Sequence, residues 1–328
     1  MMVLPRSGEI SLGALRKIAS LVKQGIYVYG NRPTGSPCKG DIGKDKEYED
    51  LVSALWDSES YGKGKVFSGM TLDEALQKAR VLPDVHGKKL YFAHRETNDC
   101  DIYFLNNHTD SIVSGLYTFK TKYQYAQLWD AVSGKRYRLS ANQGLVTLRL
   151  SPRESCFVVF SNNDEQLDDK PLLSKHHVID SKWTIDFNCR YQGVGQMECK
   201  ELKYWNKSEN SKIRYYSGTA VYKTSFEWKD VKSAVFLLLP SNNCVTEVYI
   251  NKKKAGLIWC SPWNLDISPY LKEGKNELSL EVTNSWNNRA VGDLRLKNDK
   301  TIWKPELFVS ENSLLQDAGL QGDIMLVF

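Results

Sequence analysis

The stretch ELSLEVTNSWNNRAVGD, residues 277–293, decides the fold of this chain. Its first six residues alternate between polar and apolar, which predicts a strand that buries Leu278, Leu280 and Val282 on one face. A loop rich in hydrogen-bonding side chains is predicted to follow, and within it Arg289 can donate to Asp293. The stretch is therefore either a binding surface or a cross-braced corner.

The rest of the last segment, from about Trp183, follows the same period of two. Its alternating runs are separated by turn residues and lie at 214–226, 233–239, 245–250, 255–259 and 265–267. Short antiparallel strands joined by turns are typical of a sandwich or jelly roll. We therefore predict a β-sandwich or jelly roll over residues 183–328, preceded by a polar, apolar-poor linker over residues 162–182.

Residues 85–161 are predicted to form a small all-β domain, a small β-sandwich. Strand periodicity occurs at 90–93, 101–105, 114–119, 127–129, 145–150 and 156–160. Ser133-Gly134-Lys135 fits a hairpin turn, since glycine adopts the backbone conformations that tight turns need. Two β segments in succession make the predicted fold class mainly β.

The first segment, residues 1–84, has the pattern of a parallel α/β sheet. Ser11 fits the N-cap of one helix, and Thr71 with Glu74 fits the capping box of another. These helices alternate with short apolar runs, which predicts parallel strands. About three short strands are too few for such a sheet, which normally has several members. We therefore expect a partial α/β segment, the tail of a larger domain.

Composition excludes several classes of function. The chain has 44 basic and 39 acidic residues, and this net charge of +5 is spread along its length, so no nucleic-acid or anionic-membrane surface is expected. Its 7 cysteines form no CxxC pair and no metal-ligand spacing, which favours reduced thiols, with neither a metal site nor a cofactor. The N-terminus lacks a signal-peptide pattern and no apolar run is long enough to span a membrane, so no compartment is indicated.

Two polar clusters carry residue types that can support chemistry. His94, Glu96, Asp99 and Asp101 offer the paired carboxylates that glycosidases use, although charged residues around a turn are usually solvated. His176-His177 has no third ligand beside it, which is typical of a surface position. Acidic residues fall in turns, caps and water-facing strand positions, so no buried carboxylate pair is expected.

Short motifs along the chain resemble those of a known family. They include Tyr215-Tyr216-Ser217-Gly218-Thr219-Ala220, Gly274-Lys275-Asn276-Glu277-Leu278, Ala318-Gly319-Leu320-Gln321-Gly322, His94-Arg95, Leu150-Ser151-Pro152 and Arg32-Pro33-Thr34-Gly35-Ser36-Pro37. The most specific is Trp286-Asn287-Asn288-Arg289-Ala290-Val291-Gly292-Asp293. With these motifs the chain resembles the C-terminal part of the α-L-rhamnosidases of glycoside hydrolase family 106, which ends in a galactose-binding-like jelly roll.

The resemblance implies a role in carbohydrate degradation without catalysis by this chain. Family members are far longer, and their catalytic barrel, with its glutamate acid and base and its calcium, lies upstream of the matching region. It therefore implies a non-catalytic C-terminal part with a scaffold or glycan-contact role, beside an upstream domain or a catalytic subunit. A stand-alone carbohydrate-binding module and an active glycosidase remain as alternatives. Family members are usually periplasmic or extracellular.

Carbohydrate contact is predicted at six residues, with rhamnose-containing plant or host glycans as the implied ligands. These residues are Trp259, Trp263, Trp286, Asn287, Arg289 and Asp293. Tryptophan rings stack on the apolar faces of sugars, while amide and guanidinium groups bind hydroxyls. Within the set we favour Arg289 and Asp293 as a pair that braces the corner, which leaves the three tryptophans as the residues to test for sugar contact.

Overall fold

The computed structural model describes residues 1–187, 194–230, 233–296, 305–307 and 309–328. Its secondary structure is mainly β, as the periodicity predicts. The chain divides into two compact units, Met1–His86 and Gly87–Phe328. The predicted division of the second unit into a small β domain, a linker and a sandwich remains a proposal.

The first unit is a parallel three-stranded sheet packed against helices. Its elements are β1 (Met2–Val3), α1 (Leu12–Lys23), β2 (Val28–Tyr29), α2 (Asp45–Trp56), β3 (Val66–Phe67), α3 (Leu72–Lys78) and β4 (Val85–His86). β1, β2 and β3 pair in parallel in that order. Ser11 caps α1 with its side chain, and Thr71 and Glu74 form the predicted capping box of α3. Apolar residues of α1 and α2 share one core with Val28 and Val66, so the α/β pattern is confirmed.

The second unit begins with two antiparallel sheets. Their strands are β5 (Tyr91–Glu96), β6 (Cys100–Asn106), β7 (Val113–Phe119), β8 (Tyr125–Trp129), β9 (Arg136–Leu139), β10 (Ala141–Asn142), β11 (Leu145–Leu150) and β12 (Ser155–Ser161). One sheet has the order β5-β6-β12-β8-β9, and the other contains β10-β11-β7. The predicted hairpin joins β8 to β9, and Gly134 has a φ of 72° in its turn. Periodicity misses β9, because Arg136 and Arg138 leave it little apolar content.

A β-sandwich completes the second unit. Its elements are β13 (His176–Val178), β14 (Trp183–Phe187), β15 (Gly195–Cys199), α4 (Ser211–Arg214), β16 (Thr219–Trp228), β17 (Phe236–Leu238), β18 (Val245–Ile250), β19 (Lys253–Ile258), β20 (Asn264–Asp266), β21 (Gly274–Thr283), α5 (Asn287–Leu296) and β22 (Met325–Val327). A six-stranded antiparallel sheet has the order β15-β14-β16-β21-β18-β19, and a four-stranded sheet has the order β13-β22-β17-β20. Buried residues of both sheets, such as Tyr222, Leu237, Leu280 and Leu326, form one core.

Two boundaries differ from the sequence prediction. β13 lies inside the segment predicted as a linker and pairs with β22, and three paired residues carry too little side-chain pattern to be recognised. Its His176 and His177 are exposed. The strand predicted from residue 214 begins only at Thr219, because α4 and a turn precede it, with Gly218 at a φ of 136°.

Residues 277–293 form the end of β21 and most of α5. The three apolar residues of the strand are buried, as predicted. The predicted loop is wrong from Asn287 onward, because that segment is a helix. Ala290 and Val291 are buried, and Arg289 pairs with Asp293 one turn later. A buried apolar face and an i,i+4 ion pair favour a helix over a loop.

Candidate functional site

The six residues predicted to contact carbohydrate lie at two places in the second unit. Trp259 and Trp263 flank the corner between β19 and β20, whereas the other four lie in or just before α5. Trp259 and Trp286 are each 54% exposed, but Arg289 and Asp293 are only 4% and 0% exposed. The structure therefore does not bring the six together as one surface.

The α5 corner, residues 284–293, is held by buried polar contacts. The Arg289 guanidinium lies 2.7 Å from a carboxylate oxygen of Asp293, and both side chains are buried. The backbone amide of Arg289 donates to the Ser217 hydroxyl at 3.1 Å. The Asn288 side chain exchanges two hydrogen bonds with the Gln316 backbone, at 2.7 and 2.8 Å. Because both side chains are buried and held together as an ion pair, the pair braces the corner and is not open to a ligand.

Asn284 and Asn287 extend the same brace. Asn284 accepts from the Gly218 amide and donates to the Tyr216 carbonyl oxygen, both at 2.9 Å, which ties the end of β21 to the start of β16. The Asn287 amide donates to the Leu314 carbonyl oxygen at 3.3 Å. Trp286 takes part only through its carbonyl oxygen, which accepts from the backbone amide of the fourth residue after it. Its ring stays exposed while its backbone is fixed.

A cleft of about 450 Å³ lies beside Trp259. The β8–β9 hairpin bounds it on one side, and β19, β20 and the corner between them bound it on the other. Its aromatic and hydrogen-bonding lining includes Lys135, Tyr137, Trp259, Asn264, Asp266 and Tyr270. Small-molecule sites typically measure about 300–1,000 Å³ and combine aromatic walls with a few polar groups. This Trp259 cleft therefore has the size and the chemistry of a ligand site.

An ion pair spans the Trp259 cleft. The Lys135 ammonium lies 2.5 Å from a carboxylate oxygen of Asp266, and the Ser268 hydroxyl donates to the other oxygen at 2.5 Å. Burial alone would raise the pKa of Asp266, but the hydrogen bonds from Lys135 and Ser268 outweigh it and hold that pKa below its usual value. The carboxylate therefore stays ionised at neutral pH and fixes the hairpin against the sandwich.

Trp263 fixes the backbone of the corner, and its ring packs against the protein and is less exposed than that of Trp259. It is half-buried and packs against the sandwich core. Its φ of 58° is a left-handed conformation that side chains rarely adopt. Its backbone amide donates to the Cys260 carbonyl oxygen at 3.0 Å, and its carbonyl oxygen accepts from Leu239 at 2.9 Å. These two backbone hydrogen bonds of Trp263 therefore fix the corner that carries Trp259.

Three carboxylates are buried, although the sequence pattern places acidic residues in turns, caps and water-facing strand positions. Asp101, Glu154 and Asp293 are 4%, 6% and 0% exposed. Asp101 accepts from Thr121 at 2.7 Å and lies 3.3 Å from His94, whose ring stacks on Tyr103 at 4.2 Å. Alternation predicts which face of a strand is buried but not which polar residue finds partners there. Each of these carboxylates is held by its own neighbours, and none pairs with another carboxylate.

Glu96 and Asp99, the other two acids of the cluster around His94, lie at the surface. Glu96 pairs with Lys122 at 2.9 Å, with both side chains more than half exposed. The backbone amide of Asp99 donates to Thr97 at 3.2 Å in the turn before β6. These acids are therefore solvated residues around a turn.

Sequence reasoning missed the residues that complete the Trp259 cleft. Lys135 and Asp266 are 131 positions apart in the chain, and Tyr137 lies on the unpredicted strand β9. Nothing in their local sequence signals that they meet. Of the residues that line this cleft, only Trp259 is among the predicted carbohydrate contacts.

Within the described residues no group of three or more His, Cys, Asp or Glu side chains converges, and no helix is long and apolar enough to cross a membrane. Six cysteines in the described ranges are free thiols, and Cys189 lies outside them.

Comparison with known proteins gives a match of sequence and a match of fold. Residues 1–143 match the α-L-rhamnosidase family, glycoside hydrolase family 106. The fold matches the solved rhamnosidase from Novosphingobium sp. PP1Y with a TM-score of 0.80 and 27% identity, covering 98% of this chain and 32% of that protein. A protein from Formosa agariphila, whose name gives it provisionally as a β-glucuronidase, is 37% identical over 121 residues, 36% of this chain and 10% of that protein. The chain thus spans about a third or less of the relatives it matches.

The sequence match covers the α/β unit and part of the sheets that follow it. The fold match covers 98% of this chain and so extends through the sandwich. On these two matches the chain is similar to the α-L-rhamnosidases of glycoside hydrolase family 106 and is consistent with a C-terminal portion of such a protein.

Proposed function

We propose that this chain is a non-catalytic C-terminal part of an α-L-rhamnosidase-type glycoside hydrolase, which acts as a scaffold and contacts glycan at the Trp259 cleft. The single observation that carries the glycan contact is the half-exposed Trp259 ring at the edge of a cleft lined by polar groups. The scaffold role is supported by the buried brace of the α5 corner.

The arrangement of carboxylates supports a non-catalytic role. Glycosidases hold two carboxyl groups at a set separation across the scissile bond, about 5–10 Å apart depending on mechanism. In the described residues Asp101 is held by His94 and Thr121, and Asp293 is held by Arg289. Asp266 in the Trp259 cleft is neutralised by Lys135. None of these acids is free to protonate a leaving group or to activate water.

The chemistry of the Trp259 cleft supports glycan contact. An indole ring presents an apolar face on which the CH groups of a sugar can pack. Asn264 and Tyr270 line the same cleft and offer groups that can hydrogen-bond hydroxyls. Because Lys135 and Asp266 neutralise each other and Asp130 also lines the cleft, this lining favours a neutral sugar over an anionic one.

Calorimetric titration with rhamnose-containing oligosaccharides tests the proposed contact. Trp259→Ala removes the exposed ring without touching the core, so we expect the protein to stay folded and the affinity to fall about tenfold or more, a loss of about 1.4 kcal/mol or more. Far-ultraviolet circular dichroism of the variant confirms that the sheets are intact.

Tyr91→Ala is the matched control, because Tyr91 is an aromatic residue that is 58% exposed and lies on β5, away from the Trp259 cleft. This variant is expected to bind as the unmodified protein does. An equal loss of affinity in both variants, or no binding heat with any oligosaccharide, contradicts the proposed glycan contact.

A further inference from the structure

We infer that the glycan site extends from Trp259 across the end of the six-stranded sheet to Trp286, so that its ligand is a neutral oligosaccharide that spans both rings. This inference rests on the proposed function and adds the length and the charge of the ligand. The site combines one wall of the Trp259 cleft with the exposed ring that the α5 corner holds in place.

Strand register places the two tryptophans at the same end of the sheet. β18 lies between β19 and β21 and is antiparallel to both, so β19 and β21 run in the same direction. Thr246 of β18 is opposite Ile258 on one side and Val282 on the other. Trp259 follows Ile258 directly, and Trp286 follows Val282 by four residues. Both therefore leave the sheet at the end where β18 begins.

The spacing of the strands sets the distance that a ligand must span to contact both tryptophans. Neighbouring strands lie about 4.8 Å apart, so β19 and β21 are separated by about 10 Å. That distance is longer than a single pyranose ring. A monosaccharide can cover one of the two tryptophans, whereas a chain of sugars is needed to reach from one to the other.

The surface between the rings is uncharged and partly apolar. Val245, the first residue of β18, is 45% exposed. Beside it Thr283 is exposed and shares a hydrogen bond of 2.8 Å with the hydroxyl of Thr219 on the next strand. These residues and the two tryptophans form the end strip. An alternation of exposed rings, a methyl-bearing side chain and hydroxyls suits the alternating CH faces and hydroxyls of a neutral sugar chain.

The neighbouring row of the sheet sets the expected charge of the ligand. Glu247 and Glu281 are opposite each other on β18 and β21, one step inward from the end strip. Lys254 pairs with Glu247 at 2.7 Å, while Glu281 adds a second carboxylate to this row. Lys254 offsets the charge of Glu247, so Glu281 leaves this row with a net negative charge, which disfavours an anionic chain of uronates electrostatically. The end strip therefore selects a neutral ligand.

The backbone of Trp286 is well placed to hold a ring for binding. It lies between Asn284, which ties β21 to β16, and Asn288, which is buried and bonded to Gln316. A ring on a fixed backbone loses less conformational entropy when it binds than a ring on a mobile loop. The α5 corner thus contributes to binding through the position of Trp286 and not through Arg289 or Asp293.

A ligand-length series measured by calorimetry tests this inference. L-rhamnose and neutral rhamnose-containing oligosaccharides of increasing length are titrated into the full chain, Trp259→Ala and Trp286→Ala. We expect affinity to rise with length until the ligand reaches both rings. Trp286→Ala is expected to lower the affinity for the long ligands about fivefold or more and to leave the shortest binding ligand unaffected, and Trp259→Ala is expected to weaken all of them.

Val245→Glu gives a second test, since it places a charge in the middle of the end strip without altering either ring. It is expected to weaken the long ligands only. If Trp259→Ala weakens binding while Trp286→Ala and Val245→Glu leave every ligand unchanged, the extended site is wrong and the proposed glycan contact stands. If the unmodified protein binds none of the ligands, both are wrong. Tighter binding of a uronate chain than of a neutral chain of equal length overturns the assignment of a neutral ligand.

Discussion

Replacing Arg289 with alanine is expected to lower the free energy of unfolding of the second unit by about 3–5 kcal/mol. The Arg289 guanidinium and the Asp293 carboxylate are 2.7 Å apart, with side chains that are 5% and 0% exposed. Removing one partner leaves the other charge buried without its counter-ion, which costs more than the pair itself contributes. Equilibrium unfolding in urea, followed by tryptophan fluorescence, measures the loss.

Two further variants show whether the loss arises from burial of the remaining charge. The double variant Arg289→Met with Asp293→Leu removes both charges and keeps much of the side-chain volume, so we expect it to be more stable than Arg289→Ala. Arg153→Ala breaks a pair with Asp110 in which both side chains are more than half exposed, and it is expected to shift the unfolding midpoint far less. Equal shifts in Arg153→Ala and Arg289→Ala would show that the α5 corner is not a buried brace.

Gly319→Ala is expected to destabilise the sandwich by about 2–4 kcal/mol, the sum of a backbone penalty and a steric one. Gly319 has a φ of 81°, and a β-carbon built there would lie 2.4 Å from the indole nitrogen of Trp205. That indole cannot move aside easily, because it donates to the Tyr222 hydroxyl at 2.6 Å and packs edge-on against Phe187 and Tyr216. The side chain has no space in the native packing.

Gly322→Ala is the matched control for this variant, in the same closing segment. Gly322 has a φ of 95°, but no atom lies within 4 Å of a β-carbon built there. It therefore reports the backbone penalty alone, about 1 kcal/mol. The difference between the two urea midpoints measures the steric part. Losses of equal size would mean that Trp205 does not pack against Gly319 as described.

Local pattern predicted the elements whose identity depends on neighbouring residues. α1 begins after Ser11, because a serine followed by apolar residues at helical spacing specifies both a cap and a face. β21 has its predicted face buried, because alternation alone decides which side of a strand is apolar. The Arg289–Asp293 contact was also predicted, since the two residues are only four positions apart.

Other features depend on contacts between distant parts of the chain. α5 was predicted as a loop, because Asn287 and Asn288 favour turns and the tertiary contacts that bury α5 are not visible in its sequence. The Trp259 cleft depends on Lys135 meeting Asp266 across 131 positions. The burial of Asp101 depends on Thr121, which lies 20 positions away. Long-range pairing of polar residues therefore accounts for most of what sequence reasoning missed.

Isothermal calorimetry of the full chain with a neutral rhamnose-containing oligosaccharide tests most directly whether it binds glycan without hydrolysing it. Binding gives a pulse of heat after each injection that returns to baseline and saturates, whereas hydrolysis gives a sustained heat flow until the ligand is consumed. We predict saturating pulses that diminish in Trp259→Ala, with no sustained heat flow. Sustained heat flow that is lost in Asp101→Asn would identify the chain as a glycosidase, and the absence of any heat would contradict glycan contact.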